Sequence, residues 1–333
     1  MIKNNFFFLK NLKNVCFLGQ SNIMDQLVKI NSVLKINSLV ITSPDQKLSN
    51  KKNQVVFKKI DKKFKKYISK KFDTNETLFI SLGARWIFKK EDIKNFFKKN
   101  LVNFHDTRLP LDAGGGPYSW RILRNDRIGM QLVHVVTEKI DKGDILKSEK
   151  YLFPHQCKTP EDFQNYHNSN FPLFYKNFLS EILKKKKIKL KSQVDYLGSY
   201  NPRLNTKTNG WIDWSLTSHE ILNFINAFDN PYDGASTQIL GHKRVYLKKA
   251  HLHGGEIANH PFRSGLISRN DKNWIVVSTK DSQSIIIEEV LDKNKKNIVS
   301  KLKVGSRFFT SPKNLFKAKS KKITYSSLGL KIN

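Results

Sequence analysis

The sequence predicts an α/β fold, in which a doubly wound parallel sheet is followed by a small β-rich region. The chain opens with an apolar strand at Asn14–Gly19, a helix from about Ser21 to Val33 and a second apolar strand at Ser38–Thr42. A strand, helix, strand order is typical of a parallel sheet with helices on its faces. Beyond residue 209 the pattern changes to short strands between turns, which indicates the second region. These strands are expected near Ser236, Val245, Gly265, Trp274 and Ile285.

The other elements of the first region follow from its apolar runs. We predict a short strand at Val55–Phe57, a helix at Asp61–Lys71, a strand at Thr77–Leu82 and a helix at Glu91–Lys99. A single glycine, Gly19, follows the first strand, whereas a dinucleotide-binding turn needs a G-x-G-x-x-G run. A dinucleotide site is therefore not expected.

The length of 333 residues allows one large or two modest domains. We predict a first domain over residues 1–199 and a linker with a second domain over residues 200–320. No stretch has the roughly 18 uninterrupted apolar residues that a membrane span requires, so we expect a soluble, cytoplasmic protein. Cys16 lies in an apolar strand and Cys157 is distant, so neither a disulfide framework nor a metal site is expected from them.

The formal net charge is +32, which favours an anionic partner. The excess consists mainly of lysines scattered along the chain rather than an arginine-rich stripe. We therefore expect an anionic small molecule in preference to a nucleic acid, and no membrane partner.

The stretch Leu101–Leu146 contains an acid/base pattern. Asn103 and His105 lie at i and i+2 of a strand and so project on one side. A second strand, at Met130–Val136, leads into a turn that contains Asp141. If the two strands are parallel neighbours, their carboxyl ends bring the amide, the imidazole and the carboxylate into one crevice.

The same stretch resembles the folate-dependent formyltransferases, which include methionyl-tRNA formyltransferases and sugar-nucleotide N-formyltransferases. Their signature is Asn-x-His, then Leu-Pro, a glycine-rich turn with Pro and Trp, and Asp-x-Gly-Asp-Ile. The matching residues are Asn103, His105, Leu109-Pro110, Gly114 to Pro117, Trp120 and Asp141 to Ile145. Weaker similarity continues through Gly210 to Trp214 and Gly305 to Phe308. The resemblance implies a Rossmann-like formyltransferase catalytic domain, followed by an open-barrel C-terminal domain of the oligonucleotide-binding (OB-like) type.

The resemblance also implies the reaction, which is transfer of a formyl group from 10-formyltetrahydrofolate to a primary amine without a metal. Asn103 would donate a hydrogen bond to the oxyanion formed by attack of the amine, a contribution of ~3 kcal/mol or more in a dry site. His105 would move the proton of the amine. Asp141 would orient the imidazole and stabilise its protonated form.

Binding residues are carried over in the same way. The resemblance assigns to the folate Arg85, Trp86, Ile87, Thr137, Glu138 and Ile140. Candidates for the acceptor substrate are Arg108, Gly114, Gly115 and Gly116, with Arg121 and Arg203 as further candidates for phosphate contact. Other interpretations stay open, because the glycine run can be a simple loop and the tryptophans can belong to the core.

The acceptor loop departs from the usual family pattern. After Leu109-Pro110 the chain reads Leu111-Asp112-Ala113, where relatives usually carry a basic-aromatic turn with Arg-Gly. Members that act on methionyl-tRNA also carry a long basic insertion after the second strand, and here only a short Lys/Asn loop separates Asp45 from Val55. We therefore expect a nucleotide-linked amino sugar as acceptor, with methionyl-tRNA as the alternative. A catalytically silent folate or nucleic-acid binding module is a third interpretation, and a homodimer is left open.

Overall fold

The computed structural model describes residues 6–46, 54–240, 243–254, 259–326 and 329–332. Its first region contains a seven-stranded sheet. The strands are β1 (Asn14–Gly19), β2 (Asn37–Thr42), β3 (Gln54–Val56), β4 (Thr77–Leu82), β5 (Leu101–His105), β6 (Ile128–Val135) and β7 (Ile145–Leu152). All six residues of β1 are buried, as expected for a strand covered on both faces.

The helices alternate with these strands and continue into the second region. They are α1 (Met24–Val33), α2 (Lys62–Lys71), α3 (Lys90–Asn95), α4 (Pro117–Leu123), α5 (Pro160–Leu183), α6 (Ser218–Ala227) and α7 (Pro312–Ser320), with a helical turn at Thr206–Asn209. Capping boxes define the start of two of these helices. Thr159 and Asp162 form a capping box at the start of α5, and Thr217 and Glu220 form one at the start of α6.

The order of the sheet is β3-β2-β1-β4-β5-β6-β7, and its first five strands are parallel. The prediction that the strand of residues 130–136 runs parallel to β5 is wrong, because β6 is antiparallel to β5 and places His134 opposite Asn103. A parallel neighbour needs a connection that crosses the face of the sheet. The only α-helix in that connection is α4, and its Ser119 Oγ donates to the carbonyl of Ala227 at the end of α6, 2.8 Å away.

One helix is shorter than predicted. Helix α3 ends at Asn95 rather than Lys99, because Lys98 and Lys99 adopt the left-handed backbone region. Helix α5 continues through Pro172 for 24 residues. Trp211 forms a single bridge to Ser236.

One aromatic cluster fixes the orientation of β5. The ring of Phe104 contacts four rings of α5, with centroid distances of 5.4 to 6.0 Å, from Phe171, Phe174, Tyr175 and Phe178. Because side chains alternate along a strand, this packing turns Asn103 and His105 to the opposite face.

The second region contains a five-stranded antiparallel sheet. Its strands are β8 (Ala235–Ile239), β9 (Lys243–Gly254), β10 (Ile267–Asn270), β11 (Ile275–Ser278) and β12 (Ser284–Leu291), in the order β8-β9-β12-β11-β10. The α/β class with a C-terminal β-rich region is thus confirmed. The core of this sheet also includes Ile122, Phe153 and Phe163 from the first region. The domain boundary at residues 199 and 200 stays a prediction.

Short strand pairs complete the fold. They are Phe6–Phe7 with Ile188–Lys189, Ala113–Gly114 with Tyr200–Asn201, and Ile323–Ser326 with Gly329–Ile332. Within the described ranges, no helix combines the length and the apolar composition needed to cross a bilayer. Residues 47–53, which make up most of the short Lys/Asn loop, lie outside the described part of the chain.

Candidate active site

Two segments meet at the end of β5 and bring the predicted triad together. Asn103 and His105 come from β5, and Asp141 comes from the turn after β6. Gly143 lets this turn pass against β6, since a Cβ there would lie 1.7 Å from the carbonyl oxygen of Val135. Asp141 itself has a φ of 56°, which is uncommon for a residue with a side chain. The turn places Asp141 Oδ1 3.8 Å from His105 Nδ1.

His134 is a fourth member of this group, and the sequence interpretation missed it. Asn103 Nδ2 lies 3.1 Å from His134 Nε2, and His134 Nδ1 lies 2.8 Å from the carbonyl oxygen of Val135. We assign the proton to Nδ1, which donates to that carbonyl, so that Nε2 accepts from the Asn103 amide. In the sequence, His134 is a lone histidine in an apolar strand. Its role follows from the antiparallel register of β5 and β6, which places it opposite Asn103.

Burial, and after it the neighbouring His105, lower the pKa of His134 to about 4, against smaller opposing effects of the Val135 carbonyl and Asp141. His134 is therefore neutral near pH 7 and acts as a fixed hydrogen-bond acceptor. It accepts a hydrogen bond from one N–H of the Asn103 side chain, and the second N–H of that amide takes no part in this contact.

His105 differs from His134, because its buried Nδ1 has no hydrogen-bond partner among the described atoms. At 3.8 Å, the Asp141 carboxylate is too far for a direct hydrogen bond, although such contacts often tighten when a ligand binds. One ligand atom each from His105, His134 and Asp141 lies within 4.8 Å of the others, so these residues could hold a metal ion. Both nitrogens of His134 already have partners, and metal binding would break one of those contacts. The expectation of no metal stays a prediction.

A crevice of about 360 Å³ opens beside this group. The residues that the sequence analysis assigned to folate all border it, namely Arg85, Trp86, Ile87, Thr137, Glu138 and Ile140. The ring of Trp86 is only 9% exposed, packs in the core and donates from Nε1 to the carbonyl of Lys58, so it is a core residue. Ile87 and Ile140 are 72% and 71% exposed, which leaves apolar surface at the mouth of the crevice.

A second cavity, of about 530 Å³, is also bordered by His105. Its walls carry amides and hydroxyls, which come from Gln20, Ser21, Asn22, Gln46, Gln164 and Asn168. Asp106, Tyr118 and His167 complete the wall near His105. His105 therefore lies where the crevice and this second cavity meet.

The second cavity is bordered by Asp106, Tyr118 and His167, and Tyr151 lies behind this wall. The Tyr118 hydroxyl lies near Asp106, and the Tyr151 hydroxyl lies 2.8 Å from His167 Nδ1. Burial alone would raise the pKa of Asp106, but nearby His167 and His105, the Tyr118 hydroxyl and Arg121 together hold that pKa below its usual range. Burial lowers the pKa of His167. The wall thus contains an ionised carboxylate beside a neutral imidazole.

The glycine run is mostly covered by the segment that leads to the second region. Gly114 has a φ of +108°, and a Cβ there would lie 2.1 Å from the carbonyl oxygen of Asn201. A Cβ on Gly115 would lie 3.0 Å from Cβ of Arg203. Gly116 borders a third cavity, of about 390 Å³, and Arg203 borders all three cavities. The expected contact of Gly114 and Gly115 with substrate stays a prediction, although the linker covers both.

Known proteins are similar to this chain over both regions. The family model described as "Formyl transferase, C-terminal domain" matches residues 205–303. A methionyl-tRNA formyltransferase of Prochlorococcus marinus is 26% identical over 267 residues, which cover 77% of this chain and 81% of that protein. These comparisons support the resemblance to the folate-dependent formyltransferases over both regions.

Two further proteins that are similar to this chain differ in length. The bifunctional polymyxin resistance protein ArnA of Wigglesworthia glossinidia brevipalpis is 26% identical over 230 residues, which cover 64% of this chain and only 32% of that longer protein. The N-formyltransferase of Helicobacter canadensis, solved with folinic acid and dTDP-3-aminofucose, has a TM-score of 0.62 at 18% identity. That comparison covers 83% of this chain and 99% of the solved chain, and it shows a shared fold.

The departing loop of this chain forms an internal clamp, which corrects the interpretation of two arginines. Arg108 Nε lies 2.7 Å from Asp112 Oδ2, and the Arg108 guanidinium also pairs with Asp126. Arg124 Nη2 lies 2.8 Å from Asp112 Oδ1. Arg121 is 1% exposed and donates to the carbonyls of Ile128 and Asp106. Arg108 and Arg121 therefore support the loop, and only Arg203 of the candidate phosphate contacts borders the cavities described above.

Proposed function

We propose that this protein transfers a formyl group from 10-formyltetrahydrofolate to the primary amine of a nucleotide-linked amino sugar. The observation that carries the proposal is the position of His105 between a crevice and a second, polar cavity. Two ligands placed on its two sides would meet at the imidazole. Such placement removes much of the entropic barrier of a reaction between two molecules.

The crevice suits a reduced folate. Its volume is in the usual range of ligand pockets, and the exposed side chains of Ile87 and Ile140 offer apolar contact to a flat ring. Arg85 and Lys139 also border the crevice and suit the carboxylates of the folate tail. The bound 10-formyltetrahydrofolate would supply an activated formyl carbon.

The residues of the triad then have separate tasks. The N–H of Asn103 that is not held by His134 donates to the formyl oxygen as negative charge grows on it. His105 takes a proton from the amine, and Asp141 stabilises the resulting imidazolium from the Nδ1 side. The imidazolium then returns the proton to the folate nitrogen as the bond between that nitrogen and the formyl carbon breaks. The buried Nδ1 without a partner favours this assignment, because it leaves a hydrogen bond to be made during the reaction.

The cavity beyond His105 favours a sugar as the carrier of the amine. Amide and hydroxyl side chains around about 530 Å³ suit the many hydroxyl groups of a hexose. Arg203 and Lys207 border the adjoining third cavity with the rings of Phe228 and Tyr232, a combination suited to a nucleoside diphosphate. Asp233 is the one carboxylate on the described wall of that cavity.

Methionyl-tRNA is the second candidate acceptor. It is favoured by the similarity to methionyl-tRNA formyltransferases and by the net charge of +32. Both acceptors would use the same triad, so the two candidates differ only in the molecule that carries the amine to His105.

The test is tetrahydrofolate release from 10-formyltetrahydrofolate, measured with a panel of nucleotide-linked 3- and 4-amino sugars and, in parallel, with charged initiator tRNA. We expect release that depends on one amino sugar and is lost in Asn103→Ala. Release with tRNA alone would replace the sugar by the second candidate. Folinic acid binding without release in any arm would leave a silent binding module.

A further inference from the structure

Asp106 is an ionised carboxylate that the triad does not use. It follows His105 directly, at the point where β5 ends, and it borders the second cavity. The Tyr118 hydroxyl lies near it, and Arg121 donates to its main-chain carbonyl, with Nη1 3.3 Å away. Among the described residues, no cationic nitrogen lies within 4.0 Å of its carboxylate.

A mostly buried carboxylate without a paired cation is unfavourable for stability, because burial removes its hydration. The pKa of this carboxyl nevertheless lies below its usual range. The other buried carboxylate of the same loop, Asp112, is paired with Arg108 and Arg124. The cationic partner of Asp106 is therefore missing from the fold, on the side that faces the cavity.

We propose that Asp106 binds the ammonium group of the acceptor and presents it to His105. This inference rests on the proposed function and specifies how its amine is recognised. A primary amine arrives protonated near pH 7, and a hydroxyl in its place carries no charge. Asp106 thus selects an amine over a hydroxyl in a cavity whose other walls suit either.

The geometry also provides for the proton. His105 Nδ1 faces Asp141, so Nε2 lies on the opposite edge of the ring. One N–H bond of the bound ammonium breaks, its electron pair stays on the amine nitrogen, and the proton moves to Nε2. The amine keeps two N–H groups and remains a hydrogen-bond donor to Asp106 while its lone pair turns to the formyl carbon.

Other charged groups near the cavity do not replace Asp106. His105 and His167 border the cavity as bases, and Arg85 and Arg203 border it as cations. A cation cannot bind an ammonium. Asp106 is the single carboxylate on the described wall of this cavity.

The experiment uses a matched pair of ligands, dTDP-3-aminofucose and dTDP-fucose, which differ in an amine and a hydroxyl. Each is titrated by calorimetry into the full-length protein saturated with folinic acid, for the wild type, Asp106→Asn and Asp25→Asn. Asp106→Asn keeps the shape and an acceptor for Tyr118, and Asp25 is an exposed carboxylate on α1 outside the cavities. Folinic acid affinity and melting temperature report whether each variant is folded.

We expect the wild type and Asp25→Asn to bind the amine about 10- to 100-fold more tightly than the hydroxyl compound, as for a hydrogen bond to a charged group. Asp106→Asn should lose that preference and keep its affinity for folinic acid. In turnover, it should raise KM for the amine by a similar factor and leave KM for the formyl donor unchanged.

Three unfavourable outcomes can be told apart. An undiminished amine preference in Asp106→Asn would contradict the binding of the ammonium group by Asp106, and it would leave the proposed sugar acceptor unaffected. Another outcome is that the wild type binds neither this pair nor pairs built on other nucleotide-linked 3- and 4-amino sugars. That result would contradict the proposed sugar acceptor and, with it, the proposed role of Asp106 in binding its ammonium group. A loss of folinic acid affinity together with amine affinity would make Asp106 a structural residue. In that case the deciding variant is Tyr118→Phe, which keeps the charge of Asp106. A retained amine preference in this variant supports the binding of the ammonium group by Asp106, and a lost preference contradicts it.

Discussion

Two polar clusters meet at His105, and they are built in opposite ways. The crevice cluster consists of Asn103, His134 and Asp141. It fixes the tautomer of one histidine and leaves His105 Nδ1 without a partner. The acceptor cluster of Asp106, Tyr118, Tyr151 and His167 includes two tyrosine hydroxyls and leaves a carboxylate without a cation. In the first cluster, His105 Nδ1 lacks a hydrogen-bond partner, and in the second, the Asp106 carboxylate lacks a cationic partner. A reaction between a formyl carbon and an ammonium group would supply both.

The largest expected effect is loss of turnover when the crevice cluster is broken. Asn103→Ala, His105→Ala and Asp141→Ala should each lower kcat by about a thousandfold or more, because they act on one transition state. The double variants should fall little further than the singles. Tetrahydrofolate release in single-turnover mixtures checks this, with folinic acid affinity as the control for folding. A nearly unchanged rate in Asp141→Ala would show that the wrong carboxylate was chosen, with Asp144 as the next candidate.

The second effect is on stability and follows from the lowered pKa of His134. The unfolded chain binds this proton near pH 6.5, whereas the folded site resists it until about pH 4. Between these values the unfolded state binds more protons, so the free energy of unfolding falls as the pH is lowered from about 7 to 4. The contribution of His134 is roughly 2 to 3 kcal/mol. Urea unfolding at a series of pH values should show a smaller fall for His134→Gln, and an identical fall would contradict the assigned environment.

A smaller effect on the rate tests His134 as the hydrogen-bond acceptor for Asn103, separately from its effect on stability. His134→Leu removes the acceptor that holds the Asn103 amide, and we expect kcat to fall about 10- to 100-fold, less than for loss of Asn103 itself. His134→Gln offers an amide oxygen in place of Nε2 and should recover part of the rate. Equal rates in the two variants would mean that the contact with Asn103 is incidental.

The smallest effect concerns the acceptor cluster. Tyr151→Phe removes the hydroxyl 2.8 Å from His167 Nδ1 and should lower the free energy of unfolding by about 1 kcal/mol. Because the crevice cluster does not involve Tyr151, folinic acid affinity should stay within about twofold of the wild type. A large loss of folate binding would show that the two clusters are not independent.

The sequence predicted what depends on order along the chain. Asn103, His105 and Asp141 were found because their spacing is a motif, and the parallel strands β1, β2 and β4 were found because their apolar runs alternate with helices. His134 was missed because its role depends on which residue lies across the strand, and the direction of β6 was predicted wrongly. Arg108 and Arg121 were misplaced because an ion pair with Asp112 depends on the path of the loop.

The linker before the second region carries one more consequence. Tyr200–Asn201 pairs with Ala113–Gly114, Trp120 Nε1 donates to the carbonyl of Pro202, and Arg203 borders all three cavities. The segment that leads to the second sheet is thus also a wall of the acceptor side. An exchange of C-terminal regions between related genes at this point would change the wall with the sheet, so the shape of these cavities and the second region are inherited as one unit.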